Sequence, residues 1–558
     1  MNWKEKTAYQ IYPKSFMDSN GDGIGDLQGI IRKLDYLQKL GIGILWLSPI
    51  YASPMVDQGY DISDYYAINP IFGDMEDMKE LLREAGKRDI TILMDLVVNH
   101  CSSQHRWFRE AMKDPFGKYG RYFYIKEGKD GKAPNNWRAV FGGSTWEKIP
   151  GRENLFYYHT YAKEQPDLNW ENPELREEIY QMVNWWLDQG IGGFRIDAIC
   201  NIKKDLTWQD YPADGPDGMA SVMKAVDHAK GIGEFLNELK ERCFIPHDAF
   251  TVGEVTDFSP ESIRAYVGPD GYFSTMFDLE QFYMVARGPH WIDWAPFSCS
   301  DWKRQVFASQ AYMQQMAYPA MALENHDQPR AASRCIPEED YGYESVTALG
   351  TAYFFLYGIP FIFQGEELGM RNIVMEDVSE YDDLSTINDY YIALDRGCSK
   401  KEALQICYTY ARDNARTPMQ WTDETEAGFT LGTPWLKVNP LCSKINVKAQ
   451  EEAEHSPLKH YRRMIALRNE ESRKEALVYG KLQQLFEDSE QLFAYDRTGE
   501  NGQTVRVIVN FSNKACEIPA KEAAGEILLD NLEDLSETDG NGRIVLKAYQ
   551  ALVIERNR

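Results

Sequence analysis

The run "ITILMDLVVNH", residues 90–100, decides the architecture. Ile90, Ile92, Leu93, Met94, Leu96, Val97 and Val98 leave no alternation of polar and apolar positions, so a strand built here has no face for water. Such strands belong to parallel sheets covered on both sides. "ILWLSPI" at 44–50 has the same character. Outward from these two, strand-like runs lie at 8–16, 192–199, 250–255, 272–279, 318–327 and 360–367, which makes eight. Amphipathic helices separate them. Leu27, Ile30, Ile31, Leu34, Leu37 and Leu40 share one face, with Gly41 where a C-terminal cap belongs. From Pro173 to Gln189 the pattern repeats, with Asn172 as cap, Leu175, Ile179, Met182, Val183 and Trp186 on one face, and Gly190 after it. Eight strands with intervening helices predict a (β/α)8 barrel; on pattern alone the alternative is a doubly wound sheet.

Two regions break the alternation. From 102 to 169 the chain is rich in Gly, Asn, Trp and Tyr and too long for a strand-to-helix loop, which predicts an inserted domain after the third strand. A second irregular insertion is expected over about 371–442. The barrel then comprises 1–101 and 170–477. After it, "VRVIVNF" and "IVLKAYQALVIER", with the turn signals "TGENGQ" and "TDGNGR", predict a C-terminal all-β sandwich over 478–558.

A chain of 558 residues, 43% hydrophobic and 13% aromatic, has ample material for a large core. Its 60 basic residues face 86 acidic ones, net −26, with no basic tract to follow a phosphate backbone, so nucleic acid and anionic membranes are poor partners. The start "MNWKEKTAYQIY" lacks a signal pattern and no apolar run is long enough to span a bilayer. Nine scattered cysteines without C-x-x-C spacing read as reduced thiols. A cytoplasmic enzyme, monomeric or weakly homo-oligomeric, without an organic cofactor, is the expectation.

In a barrel of this kind function sits at the C-terminal ends of the strands. There the third run ends with Asp95, Asn99 and His100, the fourth carries Arg195 and Asp197 on one side of the strand, the fifth ends in Glu254, and the seventh ends with His326 and Asp327. One strand-end carboxylate is most simply a helix cap or an ion-pair partner; four strands agreeing is not explained that way. Clustered carboxylates repel, so they suit a site that binds a metal or develops positive charge. The two histidines lack H-x-x-x-H spacing, which lowers the metal reading. Glycoside cleavage fits well: one carboxylate as nucleophile, a second as acid and then base. Arg195 beside Asp197 would keep it ionised, and Glu254 on an apolar strand is the better acid.

"DLVVNH", "GFRIDAICN", "GEV" and "ENHD" resemble, in order, the four motifs of glycoside hydrolase family 13, the α-amylase family. "SPMVDQGYDISDYY" at 53–66, "QPDLNW" at 165–170 and "RDNARTPMQW" at 412–421 resemble its oligo-1,6-glucosidase and α-glucosidase subgroup. The resemblance covers essentially the whole chain. It implies that Asp197 is the nucleophile, Glu254 the general acid/base and Asp327 the transition-state stabiliser, with retention of configuration and those first two carboxyls roughly 5–5.5 Å apart. It further implies that His100, Arg195 and His326 bind the sugar or orient the nucleophile, that Tyr60 walls the sugar, and that Asp57 and Arg412, chosen over Arg416, close the far end around a terminal glucose. The substrate expected is a short oligosaccharide. Ala198, after the nucleophile, stands where Val accompanies α-1,6 preference, so strict isomaltose specificity is not expected. Alternatives within the family are a sucrose isomerase or transglucosylase, whose Arg-Leu-Asp-Arg loop "FDLEQFYMVARG" lacks, and a trehalose-6-phosphate hydrolase, which needs a basic phosphate pocket. A non-catalytic transporter subunit would have lost the acids.

"DSNGDGIGD" at 18–26 has Asp18, Asn20, Asp22, Gly23, Ile24 and Asp26 at the spacing of a calcium loop, but Gly29 stands where a bidentate Glu would close it. Relatives imply a structural Ca2+ here, with Mg2+ as competitor. The alternative is that Asp26 caps the helix from Leu27 while the glycines make the turn.

Overall fold

The computed structural model describes residues 2–535 and 542–556. Eight short strands form one parallel sheet: β1 (Ala8–Ile11), β2 (Ile44–Leu47), β3 (Thr91–Leu96), β4 (Gly193–Ile196), β5 (Phe250–Gly253), β6 (Thr275–Met276), β7 (Ala320–Ala322) and β8 (Ile359–Phe363). Their order is β6-β5-β4-β3-β2-β1-β8-β7, and a bridge from Phe277 to Ala320 joins the two ends into a barrel. The doubly wound alternative is thereby removed. The strands are buried along their length, as their unbroken apolar runs require. The register matters for chemistry. Arg195 pairs with Asp95, and Ile196 pairs with Leu96 on one side and Gly253 on the other, so the next residues, Asp197 and Glu254, leave their strands at the same height.

The helix at Pro173–Asp188 starts on the Asn172 side chain, and Gly190 follows it at φ +101°. The single helix expected over 27–40 is two, Leu27–Arg32 and Leu34–Leu40, because Lys33 leaves helical geometry at φ −106°, ψ 4°.

The inserted segment folds a three-stranded antiparallel sheet from Ile125–Glu127, Trp146–Lys148 and Leu155–Tyr158. Its core of Trp137, Trp146 and Tyr158 takes in Trp208 and Tyr211 from beyond β4, with Trp137 stacked on Trp208 at 5.4 Å. Two separated stretches therefore bury one aromatic core, which anchors the insert over the barrel mouth. The stretch expected to be irregular over 371–442 contains a helical hairpin, Leu384–Asp395 and Lys400–Tyr410. The signals were present: Asp383 caps the first helix and Ser399 with Glu402 forms a capping box on the second.

At the C-terminus a five-stranded antiparallel sheet and a two-stranded one enclose Leu492, Ile508, Leu552 and Ile554 against Ile518 and Ile544. The opposite face sends Phe493 onto Phe307 of the barrel's outer helix layer, ring centroids 4.6 Å apart. The turn expected at "TDGNGR" falls largely outside the described residues, whereas "TGENGQ" turns as expected between two paired strands.

In the helix Pro457–Asn469, His460 is buried and its Nε2 meets Thr351 Oγ1 at 2.8 Å. Burial pushes its pKa down to about 3. The folded protein therefore keeps it neutral while the unfolded chain protonates it near its ordinary value, so the contribution is complete above that value and is lost as pH falls toward 3. Thermal melts are expected to show stability declining from pH 7 to pH 5, with a shallower decline in His460→Gln.

Candidate active site at the barrel mouth

Arg195 is the hub. It is 3% exposed, and one Nη donates to Asp95 Oδ1 at 2.8 Å and to Asp197 Oδ1 at 2.6 Å while the other lies 3.0 Å from Glu254 Oε2. One cation thus serves three carboxylates from β3, β4 and β5. Asp95 also accepts from Trp46 Nε1 and Tyr60 Oη. Burial raises its pKa to about 6 against the pull of Arg195. Burial, with Glu254 and Asp95 nearby, raises Asp197 well above the carboxylate range, although Arg195 opposes it. Arg195 is shared among Asp95, Asp197 and Glu254, so its pull on Asp197 is divided and burial outweighs it.

The turn after Asp197 is left-handed at Ala198, φ +43° and ψ 35°, which aims its N–H at Glu254 Oε2, 2.8 Å away. The backbone of one predicted catalytic acid thereby holds the side chain of the other. Asp327 stands opposite. Burial would raise it, but His326, Arg412 and Arg416 outweigh that and hold it far below the carboxylate range. Its Oδ1 accepts from Arg412 at 3.0 Å and from Arg416 at 3.1 Å.

His326 Nδ1 accepts from Gln10 Nε2 at 2.8 Å, which leaves its Nε2–H for Tyr60 Oη at 2.6 Å; Tyr60 then donates to Asp95. Burial holds His326 down to about 3, so this relay is neutral. The Tyr60 and His326 rings stack at 5.5 Å and 9°. His100 is likewise kept neutral by burial; its Nε2 meets the Tyr60 carbonyl at 3.0 Å.

These groups line one cavity of about 800 Å³, which includes Asp57, Tyr60, His100, Asp197, Ala198, Glu254, Asp327 and Arg412. Asp57 Oδ1 lies 3.6 Å from Arg412, and its Oδ2 accepts from Gln165 at 2.9 Å. Arg416, the rejected alternative, is buried behind the cavity, where its Nε donates to the His326 carbonyl. Of the residues that the resemblance assigns to catalysis and sugar binding, Arg195 and His326 sit one layer beneath the cavity surface and the rest form it. Sequence reasoning missed Gln165, Lys204 and Asp383. Gln165 lay inside the "QPDLNW" motif, Asp383 carried only a helix-cap signal, and Lys204 had no local signal.

Lys204 is 3% exposed, and its Nζ meets Asp167 Oδ2 at 2.6 Å and Asn99 Oδ1 at 2.7 Å, and also the Asn201 carbonyl. Asp167 in turn accepts from Thr160 of the insert, and Asn99 reaches His100 Nδ1 at 3.1 Å. This buried pair pins the insert to the loops after β3 and β4.

In the 18–26 loop, Asp18 accepts from the amides of Asn20, Gly21 and Gly23 and from Thr430 Oγ1, Asn20 from Asp22, Asp22 from Ile24, and Asp26 from Ser19 and Gly29. Asp26 is thus the cap of the helix at Leu27. Among the described residues, no three His, Cys, Asp or Glu side chains gather closely enough to hold a metal ion. No helix among them is long and apolar enough to cross a membrane.

A parallel barrel whose mouth gathers carboxylates from separate strands around one buried arginine, inside a deep pocket, defines a glycosidase-type site. The model of the α-amylase catalytic domain matches residues 10–480. Across 99% of the chain and 98% of the relative, it is 41% identical to an oligo-1,6-glucosidase of Parageobacillus thermoglucosidasius. It is 38% identical, over 99% and 97%, to a trehalose-6-phosphate hydrolase of Bacillus subtilis. The solved trehalulose synthase of Pseudomonas mesoacidophila superposes with a TM-score of 0.92 at 34% identity, covering 99% of both chains. The chain belongs to the α-amylase family of glycoside hydrolases.

Proposed function

We propose that this enzyme is an exo-acting, retaining α-glucosidase that releases glucose from the non-reducing end of short α-glucosides: isomaltose, isomalto-oligosaccharides and maltose, with sucrose as a further candidate. The observation that carries this is the Arg195 hub, which holds Asp197 and Glu254 level and side by side at the mouth. In this reading Glu254 protonates the leaving oxygen while Asp197 attacks the anomeric carbon; Glu254, now a carboxylate, then takes a proton from the water that opens the glycosyl ester. Asp327, held ionised, stabilises the positive charge that develops between these states. These roles require the proton on Glu254 and the negative charge on Asp197 when substrate is bound.

Six acids line the cavity (Asp57, Asp197, Asp227, Glu254, Glu280 and Asp327) against two arginines, Arg334 and Arg412. Arg412 is already engaged by Asp327 and Asp383. A dianionic phosphate is repelled by such a wall, which disfavours the trehalose-6-phosphate reading. Initial rates of glucose release from isomaltose, maltose and trehalose 6-phosphate test both points. Isomaltose and maltose are expected within tenfold of each other and the phosphate far slower; dominance of the phosphate would overturn the assignment.

A structural Ca2+, with Mg2+ as the weaker competitor, is proposed in the 18–26 loop. Asn20 and Asp22 are exposed and, with the Ile24 carbonyl, supply oxygens of the right kind, and each of the four side chains, Asp18, Asn20, Asp22 and Asp26, also holds a loop amide. Chelation is expected to lower Tm by a few degrees and Ca2+ to restore it better than Mg2+. An unchanged Tm would leave the loop as a self-sufficient chain of Asx turns. A cytoplasmic location is proposed from the nine unpaired cysteines, together with a monomeric or weakly associating state.

A further inference from the structure

The far end of the pocket is formed by two arms from distant parts of the chain: the turn at Asp57 and the arginine at 412. Both are held from outside by a single dipeptide. Asp383 is 1% exposed, and its Oδ1 accepts from Arg412 Nε at 2.9 Å and from Arg412 Nη2, with Arg416 Nη1 3.8 Å away. Its Oδ2 is tied to Thr386 by the amide at 2.9 Å and the hydroxyl at 2.7 Å, which fixes the carboxylate at the head of the Leu384–Asp395 helix. Asp382 turns the other way. Its carboxylate takes the Gln58 amide, while Lys14 Nζ donates to Gln58 Oε1 at 2.8 Å and lies 3.9 Å from Asp382. Gln58 needs such a hold because it occupies the left-handed region, φ +51°, a conformation that persists only where the surroundings enforce it. The dipeptide itself is clamped from below, since the amides of Asp382 and Asp383 both donate to the buried Asp413 Oδ2, at 2.7 and 3.0 Å.

We infer that Asp382 and Asp383 are positioning residues that hold the Asp57 turn and Arg412 against each other, and so enforce the restriction to a terminal glucose. Neither touches the cavity; each acts through the arm it grips. Arg412 reaches Asp57 across 3.6 Å, a contact long enough to part unless both sides are held. An arginine with four rotatable bonds closes a pocket only when its stem is fixed, and Asp383 fixes it by two donors on one oxygen. The inference rests on the exo-acting reading above.

The test uses Asp383→Asn, Asp382→Asn and Arg412→Ala in the full chain, with the 4-nitrophenyl α-glucoside and the corresponding α-maltoside, which carries one more glucose at the non-reducing side. The parent enzyme is expected to release nitrophenol from the maltoside only after a lag, because the terminal glucose must leave first. In Asp383→Asn the lag is expected to vanish as the end wall opens, and kcat/KM on the glucoside to fall at least tenfold, chiefly through KM. In the Arg412→Ala background the same substitution is expected to cost less than threefold. Asp382→Asn should shorten the lag without changing kcat, and it serves if Asp383→Asn does not fold. Persistence of the lag in both variants, or an equal penalty with and without Arg412, would overturn the inference. If the parent releases nitrophenol from the maltoside with no lag, it is the exo-acting reading that fails.

Discussion

Asp197→Asn is expected to lower kcat for glucose release by about 10^4-fold, equivalent to about 5.4 kcal/mol of transition-state stabilisation. The amide cannot form the glycosyl ester, and it leaves Arg195 with two carboxylates rather than three. KM should change little, because the sugar is gripped by Asp57, Arg412, His100 and Tyr60, which the substitution does not touch. In Asp197→Ala, which empties that space, azide is expected to restore part of the rate by entering from the vacated face, yielding a β-glucosyl azide. That product identifies the missing group as the nucleophile and separates its loss from a folding defect. Full retention of glucose release would sink the mechanism.

The second large effect concerns stability. Lys204→Met is expected to cost about 3–5 kcal/mol, because it strands Asp167 and Asn99 in a dry interior without their cation. Burial already depresses the Lys204 pKa, so the ammonium is held there by Asp167 rather than by solvent. Adding Asp167→Asn should recover much of the loss, since the stranded charge is then gone. Activity should fall with the single variant, as Asn99 no longer fixes His100 and the insert loses its tie to the loop after β4. A melt shifted by less than a degree or two would show that the pair is solvated.

How much of the site was legible depended on whether its residues followed a local rule. Asp197, Glu254 and Asp327 stand at the ends of apolar runs, and a run of that kind can be recognised without knowing its neighbours. Ala198 was noticed by its place after the nucleophile, but its left-handed backbone, and hence its N–H on Glu254, was not visible in the residue type. The choice of Arg412 over Arg416 could not be derived from four residues of spacing; it follows from which guanidinium reaches the cavity.

The chain's periodicity determined the barrel, because burial on both faces of a strand imprints itself residue by residue. Its punctuation determined the helices, through Asn172, Gly41 and the capping box at Ser399. What only the tertiary structure decided are relations between stretches far apart in sequence: Trp137 on Trp208, Lys204 on Asp167, Asp383 on Arg412, and one arginine among three carboxylates. The physical reason is that the charge state and hold of a buried group are set by whatever folding brings within a few ångströms. Asp197 illustrates it: beside Arg195 in sequence it reads as ionised, yet buried with Asp95 and Glu254 around the same guanidinium it is pushed the other way.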